Sequence, residues 1–236
     1  MDEPPRRAYR MTERFAEDLA EMAVSLHDEP TLEETIERVL EYALKAVDCA
    51  YAGVIFVHGQ TRVETVAATN PLVAELDKVQ LEHGQGPDID MIADPRASVL
   101  VDDTETDERW PQWAAAVAAN GVRSMLGTRL HTTSSTIGSL NLYDPRPGHF
   151  TEEDRDVAHI FARHAAVALS AARDTANLWK AIDARRLIGQ AQGILMERFG
   201  IDPDQAFAVL RRYSQDHNVK LHVVAQRLID TRELGH

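Results

Sequence analysis

The chain has 236 residues, enough for one medium domain and one small one on the usual size of a folding unit. Its formal charge is -13 and it carries one cysteine, Cys49, which excludes an internal disulfide and a cysteine-rich zinc site. No stretch approaches the roughly 18 apolar residues of a membrane span, and Met1-Asp2-Glu3-Pro4-Pro5-Arg6-Arg7 lacks the apolar core of a secretion signal. A cytoplasmic protein with no membrane partner is the expectation.

Amphipathic spacing predicts helices over 11–26 and 32–47, the second opened by Thr31-x-x-Glu34 as a capping box. Strands over 51–57 and 62–68, around His58-Gly59-Gln60, form a hairpin by position. Further strands are expected over 98–101, 124–131 and 136–143, with helical segments over 73–81, around Ile89 and over 111–120. Thr151 caps the next helix, with Glu152-Glu153-Asp154 in its first turn. From 157 to 182 there is no Pro or Gly, and Phe161, Ala165, Ala168, Ala172, Thr175, Trp179 and Ile182 recur in steps of three and four. Such a seam suits a short coiled coil and hence a homodimer, or, near its start, burial against the chain's own sheet.

The last fifty-odd residues carry the densest pattern. A helix over 187–199 ends at Gly200, a natural left-handed cap. Asp202-Pro203-Asp204-Gln205 then supplies an N-cap carboxylate, a proline at the first helical position and a glutamine able to reach back to the cap. Ala206, Phe207, Val209, Leu210 and Tyr213 stripe the second helix, Asn218 stops it, and Leu221, Val224, Ala225 and Leu228 mark a third. The fold class is therefore α+β: an antiparallel sheet with flanking helices, a long connecting helix, then a C-terminal three-helix bundle.

Charge separates the two ends. From Trp179 onward nine Lys or Arg face seven acids, which leaves -15 for the remainder. An acidic body repels phosphate, so this mildly basic tail is the nucleic-acid candidate, reading loop shape and exposed bases more than bulk charge.

Arg185-Arg186-x-Ile188-x-Gln190-Ala191-Gln192-Gly193-Ile194-Leu195-Met196-Glu197, followed by Ala206-Phe207-x-x-Leu210-Arg211-x-x-Ser214 and Leu221-x-x-Val224-Ala225, resembles the ANTAR family. The resemblance implies a transcription antiterminator that binds paired hairpins in nascent leader RNA. Candidate RNA contacts are Arg185, Arg186, Gln190, Gln192, Arg211, Arg212 and Lys220, with Tyr213 open to base stacking or to core packing along its helix's apolar stripe. Many members have a lysine where this chain has Gln192. Gly189 and Gly193, four apart on one helix, cost helix propensity and suggest either close approach of an RNA loop or tight packing inside the bundle.

Three stretches in the first part resemble the GAF domains of actinobacterial sensors: Gly84-Gln85-Gly86-Pro87, Val99-Leu100-Val101-Asp102-Asp103 with Arg109-Trp110-Pro111, and Ile137-Gly138-Ser139-Leu140-Asn141-Leu142-Tyr143. That implies a sensory module with a small-molecule pocket between sheet and helices, for which Asp88, Asp102, Trp110, Trp113 and Asn141 are the candidates. Asp88 stands where relatives commonly have cysteine. The resulting division is a helical extension over 1–30, a GAF-like domain over 31–172 and an ANTAR domain over 173–236.

Other classes fare worse. Asp102-Asp103 could mimic a receiver's phosphoacceptor, but a receiver needs a parallel sheet and 124–143 reads as two strands joined by a short turn. Some GAF-fold proteins reduce methionine sulfoxide with several cysteines, which Cys49 alone cannot supply as an internal pair. There is no G-x-S-x-G elbow, and His159/His164 and His217/His222 lie five apart rather than four. No catalytic residue, metal or cofactor is expected. A DNA-binding helix-turn-helix would carry its motif on the recognition helix rather than on the first.

Overall fold

The computed structural model describes residues 13–58, 62–93 and 98–233, and the chain divides into two compact units, 1–173 and 174–236. The expectations for Met1 to Arg7, for the first residues of the helix predicted over 11–26 and for the Gly59-Gln60 turn fall outside the described residues.

The first unit opens with α1 (Glu13–Asp28) and α2 (Leu32–Val47). Thr31 caps α2 by accepting from the Glu34 amide at 3.1 Å, while its hydroxyl donates to the Glu34 carboxylate at 2.7 Å. The hydroxyl thus takes up the carboxylate that a reciprocal capping box would send back to the Thr31 amide. Then follow β1 (Tyr51–His58), β2 (Arg62–Ala68), α3 (Pro71–His83), α4 (Pro87–Ala93), β3 (Ser98–Val101), α5 (Pro111–Ala119), β4 (Ser124–His131) and β5 (Thr136–Asp144).

The five strands form one antiparallel sheet in the order β2-β1-β5-β4-β3. Strand period two gives it two different faces. Val54 and Phe56 of β1, Leu140 and Leu142 of β5 and Leu126 and Leu130 of β4 join α1, α2 and the start of α6 (Glu152–Phe199) in one core. The opposite face carries Val101, Met125 and Tyr143, packed with Val73, Leu76, Trp110, Trp113 and Val117. On that second face the row Gly53, Asn141, Gly127 crosses three paired strands. A Cβ at Gly53 would meet Val73 at 2.6 Å and one at Gly127 would meet Met91 at 2.8 Å, so both glycines admit helices close to the sheet.

Of the predicted coiled-coil seam, Phe161 and Ala165 are buried in the first core, whereas Thr175, Trp179 and Ile182 are exposed. The second unit has its own core: Ala191 and Leu195 of α6, Ala206 and Leu210 of α7 (Pro203–Asp216), and Val224, Ala225 and Leu228 of α8 (Leu221–Thr231). At the start of α7 both halves of the capping box are made, Gln205 N to Asp202 at 2.8 Å and Asp202 N to the Gln205 side chain at 3.1 Å. Asn218 takes a left-handed φ of 51° in the turn to α8.

The sequence divided the region after 152 into a connecting helix and a separate first bundle helix. They are one helix of 48 residues, because Asp183-Ala184-Arg185-Arg186 offers nothing that ends a helix.

Candidate ligand pocket and nucleic-acid interface

A narrow cleft with room for little more than one water molecule lies where α3 and α4 approach β1 and β2. Its inner end is polar. Asp88, at the second position of α4, is 2% exposed and accepts from Gln80 Nε2 at 2.6 Å, Ser139 Oγ at 2.6 Å and Asn141 Nδ2 at 2.8 Å. Gln80 also accepts from the Asp88 amide at 2.9 Å. Beside it Asp77, 2% exposed, accepts from Thr65 Oγ1 at 2.9 Å and from the Tyr143 hydroxyl at 3.2 Å.

Burial first, and then the charge of Asp88, push the Asp77 carboxyl up to about 8. Burial pushes Asp88 up as well, against the pull of its three donors, and the Tyr143 phenol is driven well above its ordinary range by burial and by Asp77. Two buried carboxyls with no cation among the described residues bonded to either cannot both ionise cheaply, which favours keeping Asp77 protonated.

The Gly84-Gln85-Gly86-Pro87 turn makes this arrangement. Gly84 caps α3 at φ 62° and Gly86 sits at φ 149°. A Cβ at Gly86 would lie 2.4 Å from Gln80 Oε1, so glycine there lets the Gln80 side chain cross the turn and reach Asp88.

Of the five pocket candidates, the structure brings Asp88 and Asn141 into direct contact. Trp110 and Trp113 pack edge to face at 5.8 Å, with Trp110 as the N-cap of α5 rather than within it. Trp110 Nε1 donates to Asp90 at 2.9 Å, the Arg109 guanidinium lies 4.5 Å over its ring, and Trp113 is fully buried. Asp102 is exposed at the end of β3 and does not line the cleft. Its neighbour Asp103 is held below the usual carboxylate range by Arg123, 2.7 Å away. Asp77, Gln80, Thr65, Ser139 and Tyr143 were absent from the sequence candidates. The signal available was an acid and an amide, Asp77 and Gln80, at positions i+4 and i+7 of the stripe that starts at Val73.

In the second unit Arg185, Arg186, Gly189, Gln190 and Gly193 are all exposed on α6, at helical steps that place them on its outward side. A Cβ at Gly189 or Gly193 would meet nothing within 4 Å, so packing inside the bundle is not what these glycines serve. Arg186 pairs loosely with Asp183 at 3.4 Å and Arg212 with Asp216 at 3.6 Å, while Arg211 and Lys220 are also exposed. Gln192 is half-buried and donates to the Pro203 carbonyl at 3.0 Å, where it ties α6 to the start of α7. Tyr213 is half-buried against the bundle core and stacks on His217 at 4.0 Å and 18°, a ring that the sequence reading weighed only as half of a metal pair.

Residues 29–170 match the family model of the GAF domain, well over half of the sequence. The chain belongs to the GAF domain family. In this GAF protein residues 176–229 also match the model of the ANTAR domain. The pairing is that of an RNA-binding antitermination module behind a sensory one, which is a regulatory rather than a catalytic architecture.

Among curated proteins no relative matches the chain in sequence. Solved structures do match the GAF part. A domain of a two-component sensor histidine kinase protein from Sinorhizobium meliloti is 19% identical over 61% of this chain and 94% of its own, with a TM-score of 0.51. The GAF domain of an Acinetobacter phosphoenolpyruvate-protein phosphotransferase is 13% identical over 71% and 99%, at 0.55. The free methionine-R-sulfoxide reductase of Neisseria meningitidis, solved with its substrate, is 15% identical over 74% and 96%, at 0.56. At such identities the likeness shows the fold alone. Among the described residues no helix is long and apolar enough to cross a membrane, and no group of three or more His, Cys, Asp or Glu could hold a metal ion.

Proposed function

We propose that this GAF-ANTAR protein is a cytoplasmic antitermination regulator whose C-terminal module grips paired hairpins in nascent leader RNA, under the control of a small ligand of its GAF domain. The working division is 1–30, 31–172 and 173–236. The observation that carries the reading is the outward side of α6: two arginines, Gln190 and two helical glycines over which there is open space. Glycine in a helix interior costs about 1 kcal/mol against alanine. With no packing in this chain to explain it, the use left for Gly189 and Gly193 is admission of an RNA backbone or loop beside Arg185 and Arg186.

Arg211, Arg212 and Lys220 add cationic contacts, and the Tyr213–His217 stack offers an aromatic edge to an unpaired base. Gln192 supports this surface by joining α6 to α7 and keeps one amide oxygen for RNA. The protein acts as a homodimer through α6, where Leu178, Trp179 and Ile182 are 65%, 63% and 55% exposed on the stretch leading into the RNA-binding turns. A parallel pair would present two modules to two hairpins. Ligand in the GAF domain then biases that helix pair, which alters access to RNA.

Gel retardation of the full chain with paired-hairpin RNA, a single hairpin and duplex DNA at matched salt tests the reading. A saturable complex with the paired hairpins is expected, weaker binding to one hairpin and little to DNA. Equal affinity for duplex DNA overturns it.

A further inference from the structure

Strand β1 ends in a side chain that reaches across to α6. Nδ1 of His58, the last residue of β1, lies 3.2 Å from a guanidinium nitrogen of Arg173. A guanidinium only donates, so Nδ1 is the acceptor and carries no proton. The ring proton is therefore on Nε2, with Glu64 Oε2 2.9 Å away. That carboxylate sits off the line of the ring N–H, and Nε2, shielded from solvent, has no aligned hydrogen bond. Glu64 stands opposite Phe56 in the β1–β2 register, and the Arg173 guanidinium lies 5.3 Å from the centre of the Phe56 ring. Among the described residues, His58 and Phe56 supply the hydrogen-bond and cation–π contacts of Arg173, and no carboxylate pairs with it.

The position of Arg173 gives the contact its leverage. Leu169 is the last residue of α6 buried in the first core, Arg173 comes one turn later, and the first compact unit ends with it. Leu178, Trp179 and Ile182 beyond it are exposed. The bond to His58 thus extends the grip of the sheet on the helix by one turn. Other charges around the ring are few. Gly59-Gln60-Thr61, next in sequence, are neutral, Arg62 is the register partner of His58 on β2, and the β1–β5 pairing stops at Phe56 and Gly138. On α2, which shares a core with β1, Arg38 is engaged with Glu29 and Glu41, and Glu34 with Thr31.

We propose that His58 and Arg173 form a proton-sensitive latch, which holds the turn of α6 around Arg173 on the GAF sheet while His58 is neutral and frees it when His58 is protonated. Histidine is the side chain whose charge ordinarily changes between about pH 5 and 8. Protonation puts a hydrogen on Nδ1, the nitrogen that accepts from Arg173, so a donor then faces a donor and a cation faces a cation. Nε2–H meanwhile becomes a charge-assisted donor beside Glu64, which keeps the ring on the hairpin. The bond to the helix breaks while the one to the hairpin strengthens. Acidification alone, with no ligand in the domain, thus loosens α6 where it leaves the sheet, whatever the C-terminal module binds.

Hydrogen exchange of the full chain without RNA, read by mass spectrometry and corrected for the intrinsic effect of pH on amide exchange, tests the latch. From pH 8 to 5.5 the protection of amides 170–177 should fall roughly fivefold or more relative to amides 157–168 of the same helix, as local opening of one turn allows. His58→Asn has no ionisable group and should abolish that difference between the two pH values. Arg173→Ala, at a half-buried helical position, should leave 170–177 poorly protected at both. Nitrogen-15 spectra of the His58 imidazole should show Nδ1 bare and Nε2 protonated at pH 8. The proposal is overturned if protection of the turn does not change with pH, if the change persists in His58→Asn, if Arg173→Ala protects the turn at pH 8 as wild type does, or if Nδ1 carries the proton.

Discussion

Asp77 ties a single carboxyl to the stability of the whole GAF domain. Its folded-state value, about 8, stands above the ordinary 3.8 because burial and then the charge of Asp88 disfavour ionisation. Between those two values the folded chain holds a proton that the unfolded chain has lost. Stability contributed by this group is therefore greatest at the acid end and falls as pH rises through the window, at up to about 1.4 kcal/mol per pH unit, levelling off above pH 8. Urea unfolding from pH 5 to 8, followed by the fluorescence of buried Trp110 and Trp113, should show that decline. Asp77→Asn keeps the shape without the ionisation, so its stability should depend less on pH. Parallel pH profiles for the two proteins would remove Asp77 as the titrating group. Asp88 and Asn141 were legible in the sequence because they lie in or beside motifs. Asp77 and Gln80 were not, since a polar residue in an apolar helical stripe reads as an interruption until the sheet face opposite it is known.

Elements were legible where the chain carries its own punctuation. Asp202-Pro203-Asp204-Gln205 fixes the start of α7 to the residue, because the Asp202 and Gln205 side chains each accept from the other's backbone amide and Pro203 has no amide to leave unpaired. The antiparallel sheet followed from the hairpin position of β1 and β2 and the short connection between β4 and β5. The 48-residue α6 was read as two helices because its buried stripe changes partner. Val157, Phe161, Ala165 and Leu169 face the sheet, whereas Ala191 and Leu195 face α7 and α8, and the stretch between is exposed. No single apolar periodicity runs through all of it. The exposed part also carries the sharpest test of the glycines. Alanine at 189 or 193 meets no neighbour, so each substitution should stabilise the second unit by about 1 kcal/mol in a thermal or urea melt. The same substitutions should weaken hairpin RNA severalfold or more. A gain in stability with undiminished RNA affinity would mean that no RNA approaches this side of α6.

At the scale of the molecule, the distribution of charge and the exposed apolar stretch of α6 make opposite demands. A formal charge of -13 works against close approach to phosphate and against self-association, yet the mildly basic C-terminal part has to meet RNA and Leu178, Trp179 and Ile182 stand open to solvent. The proposed homodimer, paired through that stretch, would answer both. It would cover the apolar side chains and replace strong phosphate attraction with two modest contacts made at once, where the second is favoured by a local concentration in the millimolar range. Ile182→Asp combined with Leu178→Asp should then give a monomer in sedimentation at micromolar concentration, with the single-hairpin affinity of wild type, because Arg185, Arg186 and the two glycines lie beyond the changed positions. Affinity for paired hairpins should fall on the order of 100-fold, toward the single-hairpin value, as expected when a linked second contact is lost. A monomeric variant that holds paired hairpins as tightly as wild type would show that one module suffices, and the role of α6 as the coupling between two copies would have to be given up.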